Sequence, residues 1–460
     1  MNRFFVRDKQ FYKTAAILAT PVILQNMITI MVNMLDTIML GKFGEIQLSG
    51  SSLANSFVGI YQILCMGIGG GAAVLTAQYW GANNRDAVRK ITVLMIRISM
   101  VFASIFFIMS VAMPETIMRW YASDPDVIAA GVVYLRIVSP TFILTGLSQT
   151  LTIVLRSARE VRLPLINSVV SFFTNLFFNW VLIFGKLGLP EMQIRGAAWA
   201  TVIARAIETA ILLYYLFGKD EKIGLRLHHL VEPCGKYLSR YVHYSAPVIL
   251  SDFLLGLGNS AVSMIMGHMS ASFVAANSIV SMTVRLSTVM NQGFANSGSI
   301  MTGNTLGEGD VEKAHQQGFT FLWLSIVLGL LASGIILVLS PTIIGAYNIT
   351  EETREIAFRL MESVAIMVVF QATQSMLTKG VLRGGGDTQF LVAADISFMW
   401  LLSIPLGYLS AFVWHMSPFW IYLFMKIDYI IKTIWCAFRL KGDKWIKKLA
   451  VPGTERAKEA

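Results

Sequence analysis

The chain has 460 residues, of which 55% are hydrophobic and only 14% charged, and its mean hydropathy is +0.62. That composition excludes a soluble globular protein of this length and a disordered one, and it points to many membrane segments. The formal net charge of +10 is divided among short connections. A continuous basic face for nucleic acid is therefore not expected, and the charge instead suits anionic lipid headgroups.

Twelve apolar runs follow one another, near 12–40, 49–80, 88–113, 126–155, 162–184, 195–217, 238–266, 275–306, 313–340, 352–382, 388–413 and 417–440. Several exceed the roughly 20 residues that a bilayer requires, so tilt or continuation past the headgroups is expected. The leader before the first run carries Arg3, Arg7 and Lys9. That run is too long for a cleavable signal and has no small-residue cleavage site after it. Most basic residues fall in the leader, the C-terminus and the even-numbered connections, such as Arg85, Arg89, Lys90, Arg156, Arg159, Arg162, Lys219 and Lys222. Only Lys42, Arg119, Lys186, Arg195 and Arg354 lie in the opposite ones. The positive-inside rule then makes both termini cytoplasmic, with the protein a multi-pass component of the cell membrane.

The first run contains Pro21, Asn26, Asn33 and Asp36, and the second Gly67, Thr76 and Gly81. The seventh and eighth return all of these but Asp36 226 residues later, as Pro247, Asp252 in place of Asn26, Asn259, Gly293, Thr302 and Gly307, and Gly41 recurs as Gly267. Two homologous six-helix bundles in an all-α membrane protein are thus expected, related by a pseudo-two-fold axis along the membrane normal. Residues 1–217 form the first lobe, 218–237 a cytoplasmic linker, 238–440 the second lobe and 441–460 a basic cytoplasmic tail with Trp445 as an interfacial anchor. Parallel repeats of this kind are a transporter plan, with substrate held between halves.

Intramembrane carboxylates are the most informative side chains, because a charge at the bilayer centre costs about 2.5–3.5 kcal/mol on insertion scales. Asn26, Asn33 and Asp36 share one face of the first helix, and Asp252 and Asn259 repeat the pattern in the seventh. Hydrogen-bonding glue between helices is the bland account of the asparagines. Asp36 is the stronger candidate for exchanging a proton or ligating Na⁺, and Asn26, Asn33, Asp252, Asn259 and Asp395 are candidates for a substrate or second cation site. Arg97, Arg136, Arg205, Glu208, Arg285 and Glu362 also fall within apolar runs. Arg205 and Glu208 are spaced to neutralise one another, and Arg285 is positioned to pair with Asp252. His228 and His229 in the linker lack a further ligand at a recognisable spacing, so they are read as solvated. The three cysteines are expected as free thiols.

Enzyme signatures are missing or explained by turns. There is no phosphate-binding G-x-x-x-x-G-K-[ST] and no H-E-x-x-H. Gly307-Glu308-Gly309-Asp310 and Gly384-Gly385-Gly386-Asp387 resemble an intramembrane aspartyl protease string, a remote alternative, but sit at helix ends where glycine and aspartate suit turns and caps.

Taken in order, several strings resemble the multidrug and toxic compound extrusion (MATE) family. They are Leu35-Asp36-Thr37-Ile38-Met39-Leu40-Gly41, Ala77-Gln78-Tyr79-Trp80-Gly81-Ala82 with its looser partner Gly303-Asn304-Thr305-Leu306-Gly307-Glu308, Leu155-Arg156 with Leu382-Arg383-Gly384-Gly385-Gly386-Asp387-Thr388, and Gly196-Ala197-Ala198-Trp199-Ala200-Thr201. The resemblance implies twelve helices in two lobes, alternating access, and export of amphipathic, often cationic, small molecules in exchange for Na⁺ or H⁺. It implies no cofactor and no catalysis. It implies a cation site at Asp36, Asn175, Asn179 and Thr201, where any metal is Na⁺ at Asp36. Some members carry an aspartate where this chain has Asn179, leaving one formal carboxylate here. The acidic position that some members place on helix 10 falls at Ala372. A monomer in contact with membrane lipids is expected. The alternative is a flippase for lipid-linked precursors, which needs Arg97, Arg136, Arg205 and Arg285 to face one cavity.

Overall fold

The computed structural model describes residues 5–43, 45–122, 124–345 and 349–447, and among them the regular structure is entirely helical. The chain runs through α1 (Lys9–Gly41), α2 (Glu45–Gly81), α3 (Arg85–Ala112), α4 (Pro125–Val138 and Thr141–Ser157), α5 (Arg162–Ile183) and α6 (Gln193–Lys219). It continues through α7 (Gly235–Gly267), α8 (Ala271–Gly307), α9 (Val311–Gly345), α10 (Glu351–Leu382), α11 (Thr388–Val413) and α12 (Pro418–Met425 and Asp428–Lys441). These are the twelve segments the apolar pattern predicts. Ten are single helices long and apolar enough to cross a membrane, and α4 is an eleventh, bent by 52°. The bend falls beside Pro140, which has no N–H to donate. The twelfth is two short helices separated at Lys426 and Ile427, and its second half carries Asp428 and Lys432.

Local chemistry sets the ends. Asn84 accepts the Ala87 N–H at the start of α3, Ser270 accepts that of Phe273 in α8, and Thr350 accepts that of Thr353 in α10. The Ser270 cap is why α8 begins a turn before the apolar run at 275. Exposure is inverted relative to a soluble protein: Val338, Leu401, Met264 and Phe438 are all more than 60% exposed. Side chains with that character face lipid, so the helices that carry them lie in a membrane.

The chain divides into two compact units. The N-terminal unit comprises Leu24–Thr76 and Asn84–Ser245. Its interior is an aromatic cluster in which Tyr61 and Phe142 meet edge to face at 5.2 Å and Phe106 lies 5.3 Å from Phe57 and 5.2 Å from Tyr61. The C-terminal unit comprises the residues through Ile23, Ala77–Asn83 and everything from Ala246 onward. The divisions inside α1 and α7 fall beside Pro21 and Pro247, where each helix lacks a backbone bond.

The repeat has a physical basis inside the C-terminal unit. A Cβ on Gly81 would lie 1.9 Å from the Asn304 carbonyl oxygen, and one on Gly307 would lie 1.9 Å from that of Gln78. Two related helix ends therefore touch backbone to backbone, and each contributes the glycine the other needs. The turns that follow are related too, with Asn83 at φ 56° and Gly309 at φ 90°, both left-handed. Gln78 also donates to the Gly384 carbonyl at 3.2 Å.

Trp445 differs from its expected place at the lipid interface. It is fully buried, its ring covers Gly385, and it meets His315 edge-on at 5.3 Å. The Lys447 N–H donates to the Gly385 carbonyl at 2.9 Å, and His315 lies 2.9 Å from Asp443. The glycine run offers a flat backbone surface onto which an indole packs, and this outweighs a place among headgroups. The tail beyond Lys447 lies outside the described residues.

Gly81→Ala and Gly307→Ala are each expected to destabilise the purified protein by about 1–3 kcal/mol, the cost of overpacking a close contact. Gly334→Ala, where a Cβ meets nothing within 4 Å, is the matched control and is expected to leave the melting temperature unchanged. Thermal unfolding in detergent measures all three.

Candidate functional site

The site in the N-terminal unit is built from α1, α5 and α6, with α4 closing one side. Asn175 and Asn179 lie one helical turn apart on α5, so both amides point the same way. The Asn179 amide nitrogen donates to Asp36 Oδ1 at 2.5 Å and to Asn175 Oδ1 at 2.9 Å. Asn179 is completely buried, and its own Oδ1 has no hydrogen-bond partner. One nitrogen thus sits between two converging acceptor oxygens, with a third oxygen of the same amide unused. Thr201 turns its hydroxyl hydrogen to the Ala197 carbonyl at 3.0 Å, so towards other groups its oxygen acts as an acceptor. The residues assigned from the resemblance, Asp36, Asn175, Asn179 and Thr201, therefore occupy one unit, and the first three are hydrogen-bonded together.

Neighbours not singled out from the sequence complete the surroundings. Tyr134 of α4 is buried, its hydroxyl interacts with Thr201 and reaches Asn55 Oδ1 at 3.4 Å, and Asp36 acts on it electrostatically. A tyrosine in an apolar helix and an asparagine in α2 were visible signals, but nothing in their spacing ties them to Asp36. Arg205 is close enough for its charge to act on Asp36. It is bound at 2.7 Å to Glu208, as the i, i+3 spacing predicts, and Ser171 donates to the same carboxylate oxygen at 3.3 Å.

Of the other candidates, Asp252, Asn259 and Asp395 belong to the C-terminal unit and have partners of their own. Asn26 is half-buried on α1, and the side chain of Asn33 lies outside the described residues. Asp252 pairs with Arg383 at 3.4 Å, whereas Arg285 is exposed. That corrects the expected Asp252–Arg285 pair: the arginine at the end of α10 reaches Asp252. Asn259 is exposed and accepts from Lys426 at 3.1 Å. Asp395 is buried but belongs to a different group on α11 and α12, with Lys432 at 3.0 Å. Arg97, Arg136 and Glu362 are exposed, not buried, and Arg97 donates to the Leu230 and Glu232 carbonyls of the linker at 2.6 and 2.8 Å.

Asp387 of the glycine-rich string is 3% exposed and held by Arg439 at 2.7 and 3.3 Å. Asp310, its counterpart, accepts the Lys313 N–H at 3.0 Å as a helix cap. Both carboxylates have structural partners. Among the described residues, His228, His229 and Glu232 have ligand atoms within 4.8 Å of one another. His229 Nδ1 already accepts the Arg226 N–H at 2.9 Å, and the Arg89 guanidinium stands 3.4 Å from Nε2. That positive neighbour opposes a metal there. The three cysteines are free and buried, as expected.

Comparison with known proteins agrees with the helical fold and the repeat. A probable multidrug resistance protein from Thermotoga maritima is 26% identical over 448 residues, covering 96% of this chain and 94% of its own length. Another from Halalkalibacterium halodurans is 24% identical, covering 93% and 94%. Among solved structures, a transporter of the MOP superfamily from Pyrococcus furiosus superposes with a TM-score of 0.85 at 16% identity, covering 96% of this chain and 99% of that one. An outward-facing multidrug resistance MATE family transporter gives 0.84 at 17% identity, covering 95% and 98%. The MatE family model matches residues 21–181 and again 247–409, once in each half of the repeat. The chain is therefore a member of the MatE family, whose members are membrane transporters and not enzymes.

Proposed function

We propose that the protein is a secondary active exporter of amphipathic, often cationic, small molecules, driven by inward flow of Na⁺ or H⁺ through the site at Asp36. Its relatives named as multidrug resistance proteins support the substrate class. The observation that carries the ion site is the amide nitrogen of Asn179 wedged between Asp36 Oδ1 and Asn175 Oδ1. Rotating that amide by half a turn exchanges its nitrogen for the unpartnered oxygen. Three oxygens, with Thr201 beside them, would then face one point that a cation can occupy. A proton on Asp36 instead converts the carboxylate to a donor and removes the reason for the Asn179 contact. Either event changes the network joining α1 and α5. Binding shifts the transporter between its two accessible states because the site's affinity for the ion differs in the two, the only way a ligand moves such an equilibrium.

The flippase reading is less well supported. Of its four arginines, Arg205 is neutralised by Glu208, Arg97 is spent on linker carbonyls, and Arg136 and Arg285 are exposed. A pyrophosphate headgroup requires several unpaired guanidinium groups facing one cavity.

Uptake of a fluorescent organic cation into inverted vesicles, under an imposed Na⁺ or proton gradient, tests the proposal. Wild type is expected to accumulate the dye under one of the two gradients, and Asp36→Asn to fold but not accumulate it. Dye accumulation by Asp36→Asn at the wild-type rate excludes Asp36 from coupling. A second variant adds charge: Asn179→Asp sets two carboxylates within hydrogen-bonding distance, where they must share a proton or a cation. If Na⁺ is the coupling ion, its half-saturating concentration is expected to fall about tenfold, a gain of about 1.4 kcal/mol. An unchanged Na⁺ dependence would show that Asn179 does not face the ion.

A further inference from the structure

The C-terminal unit contains a buried ionic group formed by Asp395, Asp428 and Lys432. Lys432 of α12 lies 3.0 Å from Asp395 Oδ1 and 3.1 Å from Asp428 Oδ2. Lys432 is 0% exposed, Asp428 1% and Asp395 5%, so water does not reach the group. Each carboxylate also takes a hydroxyl: Ser251 of α7 donates to Asp395 Oδ2, and Ser403 of α11 donates to Asp428 Oδ1 at 2.9 Å. Ser403 in turn accepts the Asp428 backbone N–H at 3.1 Å. Three helices, α7, α11 and α12, thus meet at two carboxylates and one ammonium.

The formal charges do not balance. Two carboxylates against one ammonium leave a net charge of −1 inside hydrocarbon, and such an uncompensated charge is strongly disfavoured there. Among the described residues no other cation pairs with these carboxylates: Lys426, two residues before Asp428, turns its ammonium to Asn259 Oδ1 at 3.1 Å and over the Tyr429 ring. Arg383 is taken by Asp252 and Arg439 by Asp387. On α12 the Tyr429 and Cys436 side chains beside the group carry no positive charge, and the Lys426 ammonium in the break of the helix is directed at Asn259 instead. On α10, Glu362 is exposed and stands 3.4 Å from Arg359. A mobile ion bound at the group would supply the missing charge.

The geometry separates a proton from a metal. All four carboxylate oxygens already have a partner, two from hydroxyls and two from Lys432. A hard cation needs several free oxygen ligands around it and no ammonium at the centre. A proton needs only one oxygen. The Lys432 ammonium is shared between two carboxylate oxygens, each of which keeps a second lone pair able to take a proton. We propose that Asp395, Asp428 and Lys432 form a second ion-exchanging site, specific for a proton, which holds one proton when closed and releases it when α7, α11 and α12 separate. The place of this site in a transport cycle rests on the exporter reading, whereas its protonation does not.

Infrared difference spectroscopy of the full-length purified protein in lipid nanodiscs, stepped through pH, reads the proton directly through the carbonyl stretch of an un-ionised carboxyl. Wild type and Asp36→Asn are both expected to show a carboxyl band that vanishes as pH rises. That band is expected to be lost in Asp395→Asn and equally in Asp428→Asn, because either change leaves a neutral carboxylate–ammonium pair. Added Na⁺ is expected to leave it in place. Retention of the band in both aspartate variants, or its displacement by Na⁺, overturns the proposal. Should neither variant fold, Asp36→Asn alone decides: a remaining pH-dependent band supports the site, and none overturns it. Because no transport is measured, failure of the exporter reading leaves this result interpretable.

Discussion

Hydrocarbon offers polar groups no partner, so a buried charge in this protein needs a contact from another helix or from the next turn of its own. That constraint organises both units. In the N-terminal unit Asp36 is held by Asn179, with the Arg205–Glu208 pair nearby. In the C-terminal unit Asp252, Asp387, Asp395 and Asp428 each draw a basic side chain from another helix or from the next turn. The apolar surface would allow many helix arrangements, since lipid tails and leucines are alike. The polar contacts and the close glycine approaches select one.

The duplication is used unequally. Where the two halves must fit backbone to backbone, they keep the same device, as in Gly81 and Gly307 with the left-handed residues Asn83 and Gly309 after them. Arg159 and Gly386, after α4 and α10, are a second left-handed pair. Where they carry charge, the halves diverge. Asp36 has no acidic counterpart at residue 262, which is a buried valine, and the second half builds its ionic group on α11 and α12 instead. A gene duplication leaves two copies of a scaffold, but each copy has only to keep the contacts that its own lobe needs.

The sequence disclosed the helices because apolar length and the repeat are local signals. It disclosed Asp36 because a lone carboxylate in a span is costly wherever it points. It did not disclose Tyr134 and Asn55, whose relation to Thr201 depends on how α2, α4 and α6 pack. The spacing of Asp428 and Lys432 at i, i+4 was legible in principle, yet both sit in the broken twelfth segment, where charge looks like the approach to a helix end. Asp395 was noted, but its partners are Lys432, 37 residues further on, and Ser251, 144 residues before it, beyond any local pattern. Arg97, Arg136, Arg285 and Glu362 were misjudged for the converse reason: an apolar run does not say which face of a helix is turned inward. Trp445 was misjudged because the flat surface that buries it is made by a distant glycine run.

The central claim is that ion and substrate act on one conformational equilibrium through Asp36. Thermodynamic linkage makes this measurable without a membrane gradient, because two ligands that favour opposite states must weaken each other's binding reciprocally. Binding of a fluorescent organic cation to the purified protein, titrated at a series of Na⁺ concentrations and pH values, is the most direct test. The account predicts that Na⁺ or H⁺ raises the apparent Kd for the dye in the wild type, and that Asp36→Asn binds the dye without responding to that ion. A dye affinity that does not depend on either ion in the wild type, or a dependence that persists unchanged in Asp36→Asn, would contradict it.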